Sequence, residues 1–355
     1  MNDIARKPTG GIGAQYGRVV ARASAALCIV ALIVAAAMAP VPGDAASDSA
    51  TDASAAHPQK HRHKPTPTPT PMALPPEVKA KVPVYRPGSV PFHDGEQLYY
   101  QASWLGIPAA EAQVSFRTGL KPVRDAAKRE DPPLDDPHAG DSPRSRWVAE
   151  VWVKTTPYAD VFYKMRDHMR ENVAEDSLHT GWIHVDQHEN SRVDTYDVTF
   201  NRPAQMATVT KKSKHGTDTK EFITSDPWGP LSGAMMALSQ DLTPGKIYAF
   251  DVFGGSQRYV FAFDVQQRER IHTALGDFDA IRIVPDVWYV SDGKLRSQAH
   301  DTVLWVSADK RHLPLRIQSQ AFIGAVYADL VKVEGDGSPG SPAAGDQPVN
   351  GSKLP

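Results

Sequence analysis

Gln97-Leu-Tyr-Tyr-Gln-Ala-Ser-Trp-Leu-Gly-Ile-Pro-Ala-Ala-Glu-Ala-Gln-Val-Ser-Phe-Arg117 decides the fold class. Leu98, Tyr100, Ala102 and Trp104 alternate with Gln97, Tyr99, Gln101 and Ser103. Side chains along a strand point to opposite faces in turn, so one apolar row at period 2 reads as a half-buried strand. Gly106 and Pro108 mark a turn, after which Ala112, Val114 and Phe116 alternate with Glu111, Gln113, Ser115 and Arg117.

The same period recurs outward from this stretch. Trp147, Ala149, Val151 and Val153 carry it, as do Tyr196, Val198 and Phe200. Tyr248, Phe250 and Val252 are followed across Gly254-Gly255 by Tyr259, Phe261, Phe263 and Val265, which predicts a hairpin. Leu304 to Val306, Leu315 to Ile323 and Ala325 to Val333 add strands near the end. Helical spacing is confined to Pro157–Arg170 (Tyr158, Val161, Phe162, Met165) and Pro230–Gln240 (Leu231, Met235, Met236, Leu238). About ten to thirteen strands with two short helices predict a mainly β fold: one large antiparallel sheet curved into a β-roll or half-barrel.

Composition divides the chain. Residues 1–45 hold the apolar run Ala23–Ala39, preceded by Arg6, Lys7, Arg18 and Arg22. A positive head before an apolar segment is the pattern of an export signal or an N-terminal anchor. Gly43-x-Ala45 offers small residues at a signal-peptidase spacing. The run reads as a cleaved signal, with an uncleaved inner-membrane anchor as the alternative. Residues 46–91 form a linker, with Pro65-Thr-Pro-Thr-Pro-Thr-Pro71 favouring extended polyproline II. Residues 92–333 form the β domain, interrupted by an insertion at 120–145. The tail 334–355 is Gly- and Pro-rich and reads as disordered. The expected location is periplasmic or exported in a bacterium, with membrane contact only through residues 23–39 if they are kept.

Charge and thiol content exclude several functions. The chain carries 39 basic and 41 acidic residues, and nucleic-acid binding needs a basic patch. The single cysteine, Cys28, lies inside the apolar run, so the exported part has no thiol for a disulfide, a metal or a nucleophile.

Four segments in order resemble the bacterial envelope family known as domain of unknown function 3108. They are Phe92-His-Asp-Gly95 through Trp104-Leu-Gly106, the patch Phe162-Tyr163-Lys164-Met-Arg166-Asp167, Leu275-Gly276-Asp-Phe278 through Pro285, and Leu304-Trp305-Val306 through Leu315-Arg316-Ile317 to Gly324. The resemblance covers about residues 92–333. It implies an exported antiparallel β protein analogous to periplasmic lipoprotein-carrier folds, and it implies no catalytic residues.

No catalytic constellation stands out and no cofactor is implied. His184-x-Asp186-x-His188 is the metal-like pattern, because residues i, i+2 and i+4 of a strand share a face. The plainer reading has Ile183 and Val185 facing the core and the three polar side chains facing solvent. Asp167 and His168, being adjacent, point apart. Arg166 and Asp167 read as ties between a helix end and the sheet through charged hydrogen bonds. Tyr100, Trp104, Trp147, Phe162, Tyr196 and Trp305 are the candidate ligand-binding residues, placed to line a concave apolar face. The expected role is non-catalytic binding of an apolar or lipid-like ligand or of an envelope protein partner. A metal-dependent enzyme and a structural protein without a pocket are the alternatives.

Overall fold

The structure, a computed structural model, describes residues 70–71, 82–118, 146–224, 227–255, 258–291, 294–297, 302–320 and 325–335. The apolar run 23–39, most of the 46–91 linker, the 120–145 insertion and the tail beyond Gly335 lie outside these residues. Among the described residues no helix is long and apolar enough to cross a membrane.

In chain order the elements are β1 (Thr70–Pro71), β2 (Glu96–Trp104), β3 (Ile107–Thr118), β4 (Arg146–Thr155), α1 (Pro157–Asp160), β5 (Arg166–Ala174), β6 (Thr180–Glu189), β7 (Arg192–Asn201), β8 (Met206–Ser213) and β9 (Gly216–Ile223). They continue with α2 (Pro230–Leu238), β10 (Ile247–Phe253), β11 (Arg258–Thr273), β12 (Gly276–Ser291), β13 (Lys294–Ser297), β14 (Thr302–Ser307), β15 (Pro314–Gln320) and β16 (Ala325–Glu334). All strands belong to one sheet, ordered β1-β9-β8-β7-β6-β5-β4-β3-β2-β16-β15-β14-β12-β11-β10, with β13 attached to β12. Every pairing is antiparallel except that of the two-residue β1 on β9.

Two meanders, β2 to β9 and β10 to β16, are thus joined where β16 pairs with β2. Their far edges, β9 and β10, are neighbours in sequence. The sheet curls until those edges meet: Phe253 of β10 lies with its ring centroid 5.6 Å from Phe222 of β9 and 6.0 Å from Phe200 of β7. Curling is the way one sheet with a single apolar face buries that face. The predicted mainly antiparallel, curved sheet with two short helices is what the chain forms.

The connection between the two edges fills the curl. Helix α2 reads Pro-Leu-Ser-Gly-Ala-Met-Met-Ala-Leu, and all nine of its residues are buried. Apolar all round, it is stable only inside a core. Pro230 suits its first position, where no backbone N–H is needed. Leu231, Met235, Met236 and Leu238 join one core with Leu98 and Tyr100 of β2, Met169 of β5, Phe261 of β11 and Leu330 of β16.

Glu171, in the middle of β5, anchors this plug. Its carboxylate accepts from Leu231 N (2.7 Å), Ser232 N (3.2 Å) and Thr180 Oγ1 (2.7 Å). The first N–H groups of a helix have no partner within it and carry a partial positive charge, so a buried carboxylate is stabilised there. Burial outweighs these hydrogen bonds and leaves the Glu171 pKa raised, although each bond pulls it down. At the other end of α2, Leu238 O accepts from the His312 ring (2.9 Å), and the segment before β2 straps the exit. Gly88 N donates to Ser239 Oγ (3.2 Å), and Gln240 Nε2 donates to Arg86 O (3.1 Å).

Two boundaries differ from expectation. The packed domain begins before residue 92, since Tyr85 stacks on Phe250 at 4.5 Å and its hydroxyl accepts from Ala249 N. The helix expected over Pro157–Arg170 is a single turn, Pro157–Asp160, capped by Thr156, and Arg166 already starts β5. Tyr158, Val161 and Phe162 are exposed, so their helical spacing finds no surface to pack on. Of the expected pair, Arg166 does tie that turn to the sheet, through Asp160 Oδ2 (2.6 Å) and Thr155 O (3.1 Å), whereas Asp167 instead accepts from the His188 backbone N–H of β6 (3.0 Å).

A Cβ on Gly229 would lie 2.6 Å from Cδ of Glu171, a side chain that is fully buried and cannot retreat. Gly229→Ala is therefore expected to lower stability by about 2 kcal/mol or more, read as a reduced urea midpoint at unchanged slope.

Candidate functional site

The strand register sorts the polar residues of β4 to β8 onto two faces. On the outer face a chain of carboxylates and imidazoles crosses four strands. Glu150 Oε1 meets His168 Nε2 at 2.7 Å, and Asp197 Oδ1 meets His184 Nδ1 at 2.7 Å. Asp186 lies between the two rings, 3.8 Å from His168 Nδ1 and 3.4 Å from His184 Nε2, and accepts from Thr195 Oγ1 (3.1 Å). Trp152 stacks on His168 at 3.7 Å. Burial works against the Asp186 charge, but His168 and His184 outweigh it and hold the carboxyl well below its usual range.

This layer relocates the metal-like pattern. Ile183 and Val185 face the core as expected, yet His184 and Asp186 are 0 % and 2 % exposed rather than solvated. The second ring beside Asp186 is His168 of β5, its cross-strand partner, whereas His188 donates its backbone N–H to Asp167 Oδ1 (3.0 Å). Among the described residues no group of three or more His, Cys, Asp or Glu is arranged to hold a metal ion.

The inner face becomes charged at one end, where β5 and β7 begin and β6 and β8 finish. The inward row of β5 starts beyond its N-terminus with Tyr163 and Met165, both in the core, and runs on through Asp167 and Met169. That of β6 runs Ile183, Val185, Gln187, Glu189. Across from them stand Asp194 and Tyr196 of β7 and Lys211 of β8. Asp194 Oδ2 takes Arg192 Nε (2.5 Å) and Lys211 Nζ (3.0 Å). Arg192 also reaches Glu189 at 3.7 Å and donates to Tyr196 Oη at 3.0 Å. Lys211 sits 5.3 Å above the Tyr196 ring.

The electrostatics of this mouth are uneven. Arg192 and Lys211 overcome the burial of Asp194 and keep its carboxyl below the usual range. Asp167 has no such cation bound to it. Burial first, and then the nearby Glu189 carboxylate, push its pKa up to about 8, against the His188 N–H and Arg192. Burial and the charges of Glu189 and Asp167 also push the Tyr163 phenol up. A desolvated carboxyl with a shifted pKa at a concave surface is a recurrent mark of binding and reacting sites.

The aromatic candidates do not converge. Trp104 and Phe162 lie at the mouth end and Tyr196 lines the mouth. Tyr100 is buried in the wall, its hydroxyl donating to Pro314 O (2.9 Å), and Trp147 packs against the core at the opposite end of β4. Trp305 alternates with the core residues Leu304 and Val306 and bonds Glu269 through its indole N–H. Phe162 is 58 % exposed. With Tyr158 and Val161 it forms an apolar rim beside Leu105 and Ile107 at the β2–β3 turn, all five exposed. Thr156 fixes α1 to that turn through Pro108 O (3.0 Å) and Ala109 O. The residues sequence reasoning passed over are Asp167 as an inward group, Gln187, Glu189, Arg192, Asp194 and Lys211. The available signal was Tyr163-x-Met165-x-Asp167-x-Met169, an acid standing in an apolar period-2 row.

Asp167 makes stability fall with rising pH. Its pKa is raised from about 3.9 in the unfolded chain, so the folded state binds the proton more tightly, and this contribution is full below pH 4 and lost as pH climbs through 8. Asp167→Asn removes the titration. Thermal melts from pH 4 to 9 are expected to show the variant matching the wild type at the acid end and exceeding it at pH 9.

Residues 138–331 match the family described as "Protein of unknown function (DUF3108)". No curated protein matches the chain. Among solved structures, a β-barrel-like protein of domain of unknown function DUF1849 from Brucella abortus is similar at TM-score 0.44 and 7 % identity, over 68 % of this chain and 97 % of that one. A candidate lipoprotein from Parabacteroides distasonis is similar at 0.27 and 8 % identity, over 70 % and 100 % of the two chains. A candidate exported protein with a YmcC-like fold from Bacteroides fragilis is similar at 0.25 and 8 % identity, over 71 % and 99 %. At these scores the likeness assigns no function. The family match spans more than half of the chain, which therefore belongs to the DUF3108 family, a family of unknown function.

Proposed function

We propose that this is an exported, non-catalytic cell-envelope protein that binds an amphipathic, lipid-like ligand at the mouth of the curled sheet. The observation that carries the reading is the position of α2. Because the helix and its aromatic neighbours occupy the curl, the place left for a ligand is the charged mouth and the apolar rim beside it.

The rim is built to present apolar groups to another molecule. Leu105 is 60 % exposed and holds a left-handed backbone at φ 51°, a conformation that costs a branched residue energy and that glycine would adopt freely. Val161 is 79 % exposed on a turn tied down by hydrogen bonds. Polar acceptors stand beside these side chains on the inner face. A ligand with an apolar body and a polar head matches both parts. The export pattern at residues 1–45 supports an envelope location, where such ligands are abundant.

Titration with the neutral fluorophore N-phenylnaphthylamine tests the reading. Saturable binding is expected, weakened at least about tenfold (about 1.4 kcal/mol) by the double substitution Leu105→Ser and Phe162→Ala, since a fully buried apolar side chain contributes about 1.5–3 kcal/mol and these two are covered by the ligand on one side. Absence of saturable binding, together with no co-purifying amphiphile in native mass spectra, would refute it.

A further inference from the structure

The mouth holds more hydrogen-bond acceptors than its own donors satisfy. Gln187 is 3 % exposed, stands in the inward row between Val185 and Glu189, and faces Asp194 across β7. Its Oε1 has no hydrogen-bond partner among the described residues. A buried amide oxygen left without a donor is costly, and native proteins rarely keep one that nothing fills. Beside it stand the Asp167 carboxyl, which accepts from the His188 backbone N–H, and the Glu189 carboxylate at the solvent side.

The cations of the mouth are already committed. Arg192 Nε and Lys211 Nζ both bind Asp194 Oδ2, and the remaining Arg192 nitrogens turn to Glu189 and Tyr196. An anionic head would find those donors occupied and would face the Glu189 carboxylate and Gln187 Oε1, which only accept. A donor head has the opposite fit. A primary ammonium carries three N–H groups and one positive charge. Gln187 Oε1 and the Glu189 carboxylate accept from it directly, and its positive charge favours release of the Asp167 proton to solvent, which makes Asp167 the third acceptor and a second negative charge.

We propose that the mouth selects ligands bearing a primary ammonium group, held by Gln187 Oε1 and the carboxyl groups of Asp167 and Glu189. The inference rests on the amphiphile-binding reading above and names the head group that reading leaves open. The ammonium belongs to an amphiphile, whose chain lies against Phe162 and Leu105.

Four probes applied to the full chain by calorimetric titration separate the possibilities: octylamine, octanol, octanoate and propylamine. Octylamine is expected to bind at least about tenfold more tightly than octanol, as charge-assisted hydrogen bonds provide, and octanoate most weakly. Asp167→Asn, close in shape to the native side chain, and Gln187→Leu should each bring octylamine to within about twofold of octanol. Phe162→Ala should weaken all three eight-carbon probes alike. Octanoate binding as tightly as octylamine, or an amine preference that survives Asp167→Asn, overturns the head-group assignment while leaving amphiphile binding intact. Propylamine matching octylamine assigns the ammonium to a small free amine and overturns the amphiphile. Failure of all three eight-carbon probes to bind refutes the underlying reading itself. Circular dichroism of each variant identifies any that is unfolded, and Asp167→Asn then carries the test without Gln187→Leu.

Discussion

The rest of the architecture depends on one buried carboxylate. Glu171 sits on the concave face of the sheet, at a position where alternation would place an aliphatic residue, and meets the N-terminus of a helix that is apolar all round. A helix of nine residues has little stability of its own. Its first N–H groups would be orphaned in an apolar core, at a cost of about 1–3 kcal/mol each. The carboxylate satisfies two of them and fixes the register of helix against sheet, with Gly229 leaving room for its oxygens. The plug in turn fills the curl whose edges, β9 and β10, it connects. Without a filled interior, a sheet this long would have its inner row of Leu, Val, Ile and Phe facing water.

Filling the interior moves chemistry to the end of the curl. The same inward rows that supply core residues in mid-sheet continue past the helix and become Asp167, Gln187, Glu189, Asp194 and Lys211. The two faces of one strand pair thereby hold carboxyl groups with opposite behaviour. Asp186, outward, is flanked by imidazoles and stays ionised to unusually low pH. Asp167, inward on the next strand, is desolvated beside Glu189 and holds its proton to about pH 8. The difference comes from the partners each face provides, since both carboxyl groups are buried.

Much of the sheet was legible because its strands are half-buried. The Gln97–Arg117 rows map directly onto β2 and β3, and Gly254-Gly255 marks the β10–β11 hairpin. The legible signal fades at β5 and β6, where both faces are buried: His168, His184 and Asp186 are as inaccessible as Met169, Ile183 and Val185. Without a wet face, alternation loses its contrast. Over Pro157–Arg170 the apolar residues Tyr158, Val161, Phe162 and Met165 then happen to suit a helical template better than a strand, although three of the four are exposed. The candidate site was less legible still. Its residues come from four strands, and only the register brings Gln187 opposite Asp194 and His168 opposite Asp186.

The mouth and the rim lie at the same end of the curl for a geometric reason. The β2–β3 turn and α1 both rise from strand ends at the charged end of the curl, and Thr156 locks them together through Pro108 and Ala109. The locked pair presents apolar side chains outward, while Tyr163, next in the chain after Phe162, turns inward to the acids. Alternation along Phe162-Tyr163 therefore takes the chain from apolar rim to polar mouth in one residue. The proposed ligand, spanning the two, is apolar at one end and polar at the other, as a head group joined to a chain is. An entirely apolar ligand would have to cover the Asp167 and Glu189 carboxyl groups without a donor for them. On the proposed reading, the acids act as a filter that the aromatic residues alone could not provide.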